Sequence, residues 1–132
     1  MKACWFNGAM INPDEARVSV FDHGLLYGDG VFEGIRFYDG VPFRLHAHLL
    51  RLQQSARALH LDMPYDLQEL AQAVCQTALA TQEQDGYLRL VVTRGEGALG
   101  IDPRTCRQGT VFILADRLQI ASDKARNAGA SL

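Results

Sequence analysis

The sequence predicts an α+β domain, an antiparallel sheet covered by two helices. Three observations carry this. Short apolar runs stand on either side of tight-turn dipeptides, two longer segments show 3–4 apolar spacing, and further strand-like runs follow them.

Ala3–Phe6 and Ala9–Ile11 flank Asn7-Gly8, a tight-turn pair, and read as a first hairpin that Asn12-Pro13-Asp14 breaks. Val18–Phe21 reads as a further short extended piece. Val31–Tyr38 and Val41–Phe43 flank Asp39-Gly40 and read as a second hairpin. Leu45, Leu49, Leu52, Ala56 and Leu59 then define a helix from about Leu45 to His60, which ends before Pro64. Asp66, with Glu69 three residues later, is the signature of a capping box. It opens a second helix whose apolar face is Leu67, Leu70, Val74 and Ala78, up to about Thr81. From Tyr87 the period falls to two, with Leu88, Leu90 and Val92 on one face and Tyr87, Arg89, Val91 and Thr93 on the other. A glycine-rich loop, Gly95–Pro103, leads to a last clear strand at Thr110–Leu114. Ser122–Asn127 reads as a short helix closed by Gly129, and Ala130–Leu132 as the first residues of another strand.

Composition bounds the function. With 132 residues, 48% hydrophobic and 21% charged, the chain can bury a core and is not disordered. No apolar run approaches the roughly 20 residues of a membrane span, and a net charge of -2 argues against a broad nucleic-acid surface. Cys4, Cys75 and Cys106 are far apart and odd in number, which points to reduced thiols in a cytoplasmic protein. His23, His46, His48 and His60 do not form a metal-ligand set.

Three places stand out as candidate sites. The stretch from Asp22 to Gly34 holds four glycines, Gly24, Gly28, Gly30 and Gly34. It precedes a strand, so it is not a dinucleotide fingerprint, which must open a helix. It is either a tight loop that needs positive φ at several glycines, or a floor that a flat ligand can approach, lined by Tyr27, Phe32 and Glu33. Arg51 lies at the edge of a helical apolar face, and either pairs with an anion such as a phosphate or extends along its helix to solvent. Tyr87 and Arg89 share a strand face, as a carboxylate-binding pair or as members of a surface ion pair.

Several segments together resemble a known family. They are Trp5-Phe6-Asn7-Gly8, the run from Asp22 to Arg36, Phe43-Arg44-Leu45 with His48 and Arg51-Leu52, and Tyr87-Leu-Arg89 with Gly100-Ile-Asp-Pro103. In order and spacing they resemble the class IV, fold-type IV aminotransferases, which are pyridoxal 5'-phosphate enzymes. The run from Arg89 to Pro103 most resembles the branched-chain amino acid aminotransferases. D-amino acid aminotransferases and aminodeoxychorismate lyases share the glycine-rich stretch.

The resemblance implies that Arg51 binds the cofactor phosphate. It implies that Tyr87 and Arg89 hold the side-chain carboxylate of glutamate or 2-oxoglutarate, and that Tyr27 and Phe32 line the substrate pocket. Leu99, Gly100 and Ile101 are then a loop that reaches a neighbouring subunit's pocket, in a homodimer or higher homo-oligomer. The expected ligands are small amino acids and 2-oxo acids, with no nucleic acid and no membrane. On the same resemblance, residues 1–120 match an N-terminal domain, and residues 121–132 match an interdomain linker and the start of a second domain. The Schiff-base lysine is expected beyond Leu132, because neither Lys2 nor Lys124 stands in the matching motif. The chain alone is therefore expected to be inactive, with exposed apolar patches where a second domain packs. The other readings are a D-amino acid aminotransferase or aminodeoxychorismate lyase of the same class, or a non-catalytic dimerisation fragment.

Overall fold

The computed structural model describes residues 1–118. Strands β1 (Ala3–Phe6), β2 (Ala9–Ile11), β3 (Gly30–Tyr38), β4 (Val41–Pro42), β5 (Gly86–Thr93) and β6 (Thr110–Arg117) form a single sheet in the order β2-β1-β6-β5-β3-β4. Its pairings are antiparallel, and helices α2 (Leu45–Ala58) and α3 (Leu67–Ala80) lie on one face. Both hairpins form at the expected dipeptides. Asn7 and Asp39 take positive φ, as do Gly8 and Gly40 after them, which matches the twist of the paired strands.

Alternation decides what the helices cover. Ile35 and Phe37 from β3, Leu88, Leu90 and Val92 from β5, and Val111 and Ile113 from β6 are all buried. They meet Leu49, Leu52 and Ala56 of α2 and Leu70, Val74 and Ala78 of α3 in one core. Asp66 caps α3 with the reciprocal bonds of a capping box, to and from Glu69.

Four expectations shift. The segment Val18–Phe21 forms no strand; only Asp22, at its end, makes an isolated bridge, to Glu96. The first half of the glycine-rich stretch is a short helix, α1 (His23–Tyr27), and of its four glycines only Gly28 takes positive φ, as the left-handed cap of that helix. Helix α2 stops at Ala58, so Leu59 falls past its end and is exposed rather than part of its apolar face. Strand β6 runs on to Arg117, beyond Leu114, because its register with β5 continues as far as Gly86. The expected helix at Ser122–Asn127, the expected strand at Ala130–Leu132 and the expected domain boundary near residue 120 lie outside the described residues. No helix among the described residues is long and apolar enough to cross a membrane.

Candidate active site

The uncovered face of the sheet brings three of the expected residues together. In the β3–β5 register Gly34 stands opposite Arg89, with Phe32 opposite Val91 and Arg36 opposite Tyr87. The Arg89 guanidinium carbon lies 4.7 Å from the Phe32 ring centre and 6.0 Å from that of Tyr87. Its Nη2 donates to the Tyr87 hydroxyl at 3.3 Å. Gly34 makes the room, since a Cβ there would run into the Tyr87 hydroxyl. The result is a fork-shaped cation beside an apolar wall, with Phe32 57% exposed. A hollow of about 250 Å³ on one side of Arg89 is floored by Gly28, Gly30, Phe32 and Val91. Another of about 400 Å³ reaches Tyr87, Leu114 and Asp116. Of the two readings of Tyr87 and Arg89, the surface ion pair is not realised, because Arg89 pairs with no carboxylate among the described residues.

Arg51 is elsewhere. Its side chain is 65% exposed on α2, so it is not a buried guanidinium, yet it has found an anion. Glu33 is only 4% exposed and accepts from Arg51 Nε at 2.9 Å, from Arg51 Nη2 at 2.8 Å and from His48 Nδ1 at 2.7 Å. Burial pushes the Glu33 carboxyl up, but the hydrogen bonds and charges of Arg51 and His48 outweigh it and hold the group below the ordinary glutamate value. The same pairing raises Arg51. Arg51 Nη1 makes no hydrogen bond among the described residues. A hollow of about 310 Å³ beside it is lined by Arg44, Ala47, His48 and Arg51, three basic side chains and no carboxylate. This corrects the placing of Glu33 beside Tyr27 and Phe32. It follows Phe32 in a strand, so it points through the sheet to the helix side. Nothing in the sequence pattern tied Glu33 to α2, although His48 and Arg51 sit three apart on one helical face, where side chains meet.

Tyr27 and the segment Leu99-Gly100-Ile101 meet at a single bond. The Gly100 backbone N–H donates to the Tyr27 hydroxyl at 2.6 Å. Leu99 and Ile101 project from this point, 73% and 80% exposed. Two buried residues that the sequence did not single out as functional build the base beneath them. Asp22 caps α1 through Gly24 N and accepts from the hydroxyls of Thr93 and Thr110, at 3.1 and 2.7 Å, so one carboxylate joins α1 to β5 and β6. His23 is fully buried, with Nε2 2.8 Å from the Ala98 carbonyl oxygen. On the far side of the loop Asp102 caps the turn Pro103–Thr105, and Arg104 holds the Asp102 carboxyl at about 2 through hydrogen bonds from its side chain and backbone.

Comparison with known proteins places the chain in a family. The family model described as "Amino-transferase class IV" matches residues 30–131. A Methanocaldococcus jannaschii protein named as a branched-chain-amino-acid aminotransferase is 52% identical over 111 residues, 84% of this chain and 38% of its own length. A Bacillus licheniformis D-alanine aminotransferase is 38% identical over 91 residues, 69% of this chain and 32% of its own. Among solved structures, a T.th. branched-chain amino acid aminotransferase complexed with N-(5'-phosphopyridoxyl)-L-glutamate superposes with a TM-score of 0.83 at 33% identity, covering 91% of this chain and 41% of that one. The chain thus spans well under half the length of the relatives it matches. All of β3 to β6, with both covering helices between them, lies inside the matched family segment, and the chain belongs to the class IV aminotransferases.

Proposed function

We propose that this chain is the N-terminal part of a pyridoxal-phosphate aminotransferase of the branched-chain type, which passes an amino group between leucine, isoleucine or valine and 2-oxoglutarate. The observation that carries the reading is the Phe32–Arg89–Tyr87 cluster. An enzyme that alternates between an apolar amino acid and glutamate needs one pocket that accepts both. Phe32 offers the apolar surface, while the Arg89 fork and the Tyr87 hydroxyl hold a side-chain carboxylate.

The basic hollow at Arg51 fits the cofactor phosphate. Arg51, Arg44 and His48, which line it, would hold the anion, with Glu33 fixing one edge of the Arg51 guanidinium. Pyridoxal phosphate, when bound, supplies the electron sink that lets an amino acid release its α-proton. This chain's share would be to orient: Arg51 would hold the cofactor phosphate, and Arg89 with Tyr87 a substrate carboxylate, beside the apolar surface of Phe32. Tyr27 lines the pocket, and Leu99, Gly100 and Ile101 enter that of a second subunit in a homodimer or higher oligomer. We place the enzyme in the cytoplasm, in keeping with its three unpaired cysteines.

Neither Lys2 nor Lys124 stands in a segment that resembles the family's catalytic lysine, so the 132-residue chain by itself is inactive. Mixing it with pyridoxal phosphate and reducing with borohydride tests this: a stable adduct at one lysine together with turnover of leucine overturns it. The similarity to a D-alanine aminotransferase supports a second reading, with a D-amino acid as substrate. A substrate panel on the intact gene product separates the two. Amino transfer from L-leucine to 2-oxoglutarate is expected, and turnover of D-alanine without L-leucine refutes the branched-chain assignment.

A further inference from the structure

Helix α1 carries a buried histidine with an unusual balance of bonds. His23 Nε2 faces the Ala98 carbonyl oxygen at 2.8 Å, so this nitrogen must carry the proton. In the neutral ring Nδ1 is then an acceptor, yet it is buried with no partner among the described residues. Burying an unpaired polar atom is unfavourable. A residue that only filled this space would be better as phenylalanine, which has no such atom. What the imidazole supplies in exchange is the Nε2–H bond to the loop.

The bonds around it converge on the same short segment. The His23 backbone N–H donates to Gly95 O, and the Ala98 N–H donates to Thr105 Oγ1. Both backbone groups of Ala98 are therefore held, one by His23 and one by Thr105. Gly97 leaves no slack, because a Cβ there would stand 2.6 Å from Cys106 Sγ and 2.8 Å from His23 Nε2. The His23 ring meets the Tyr27 ring edge-on, with centres 4.9 Å apart, and the Tyr27 hydroxyl receives Gly100 N–H. Two aromatic residues one helical turn apart thus grip the loop at Ala98 and at Gly100, immediately before and within the exposed Leu99–Ile101 tip.

We propose that His23 is a positioning residue for this reaction: it is fully buried, and through Ala98 and Tyr27 it fixes where Leu99, Gly100 and Ile101 stand. The structural part holds for the chain itself. The effect on substrate choice rests on the reading above, in which this tip lines a pocket for amino acids.

The first test needs no substitution. Long-range proton–nitrogen spectra of the 15N-labelled 132-residue chain report the tautomer of His23. Protonated Nε2 with bare Nδ1 is expected, and the opposite tautomer overturns the proposal. The second test compares His23→Phe with His23→Gln, whose side-chain amide can reach the Ala98 carbonyl. Amide hydrogen exchange at Gly100 should quicken about tenfold in His23→Phe and return toward the wild-type rate in His23→Gln, with Leu90 in β5 unchanged. Unchanged exchange at Gly100 in His23→Phe, with Leu90 protected, refutes the proposal. Should His23→Phe lose protection at Leu90 as well, the tautomer alone decides. In the intact enzyme, KM for L-leucine should rise several-fold in His23→Phe with a smaller change in kcat, and His23→Gln should restore it. An intact enzyme without any aminotransferase activity sinks the functional reading and leaves the exchange result standing.

Discussion

The two faces of the sheet are made by the same strands and do different work. On the covered face, Ile35, Phe37, Leu88, Leu90, Val92 and Ile113 are sealed beneath α2 and α3. On the open face Phe32, Gly34, Tyr87 and Arg89 of the same strands make a cation, a hydroxyl and an aromatic wall that few other groups cover. Stability and chemistry are interleaved residue by residue, so a substitution one position along changes which of the two it harms. Glu33 breaks the pattern as a charged group on the covered side, and it is tolerated there because Arg51 and His48 satisfy it.

The sharpest way to break this comparison is Leu90→Ala, which should lower unfolding stability by about 2–5 kcal/mol in urea titrations. Phe32→Ala, one of the largest truncations available on the open face, should change stability by less than about 1 kcal/mol. Equal losses from the two would refute the division. Next in size is Arg89→Met. In the intact enzyme it should raise KM for 2-oxoglutarate roughly 10–100-fold, the loss of a charge-assisted bond, and leave KM for leucine nearly unchanged. Equal effects on both substrates would mean that Arg89 is not the carboxylate grip. Smallest is Glu33→Gln, expected to destabilise by about 1–2 kcal/mol at neutral pH. Because the folded carboxyl titrates below its ordinary value of 4.5, its contribution is present above that pH and is lost as pH falls through the folded value. The gap between wild type and Glu33→Gln should therefore close on acidification. A gap that holds constant from neutral pH down to strongly acidic conditions would contradict the pairing.

The sequence made the covered face legible and left much of the rest hidden. The turn dipeptide Asp39-Gly40 located β3, periods of two and 3.6 located β5, α2 and α3, and local capping chemistry placed the start of α3 at Asp66. Those signals are written within a few residues. Helix α1 is not: it is five residues long, contains Gly24, and is held by Asp22 bonds to Thr93 and Thr110, 71 and 88 residues away. Val18–Phe21 has strand-like residues but no strand partner among the described elements, and propensity alone does not make a strand. The same limit explains the site. Tyr87 and Arg89 could be paired from their spacing in one strand, whereas the Glu33–Arg51 pair spans 18 residues and two elements.

Phe32 and Glu33 are neighbours in one strand and point to opposite sides of it. On the reading proposed here, one belongs to the grip on the substrate and the other to the grip on the cofactor phosphate, so a single peptide unit sets the distance between them. A one-residue slip of β3 would exchange the two sides and ruin both grips together. Drift in this strand is thus closed as a route to new specificity. Change has to come through the size and polarity of side chains at a fixed register, or through the Leu99–Ile101 tip, which hangs on bonds that β3 does not make.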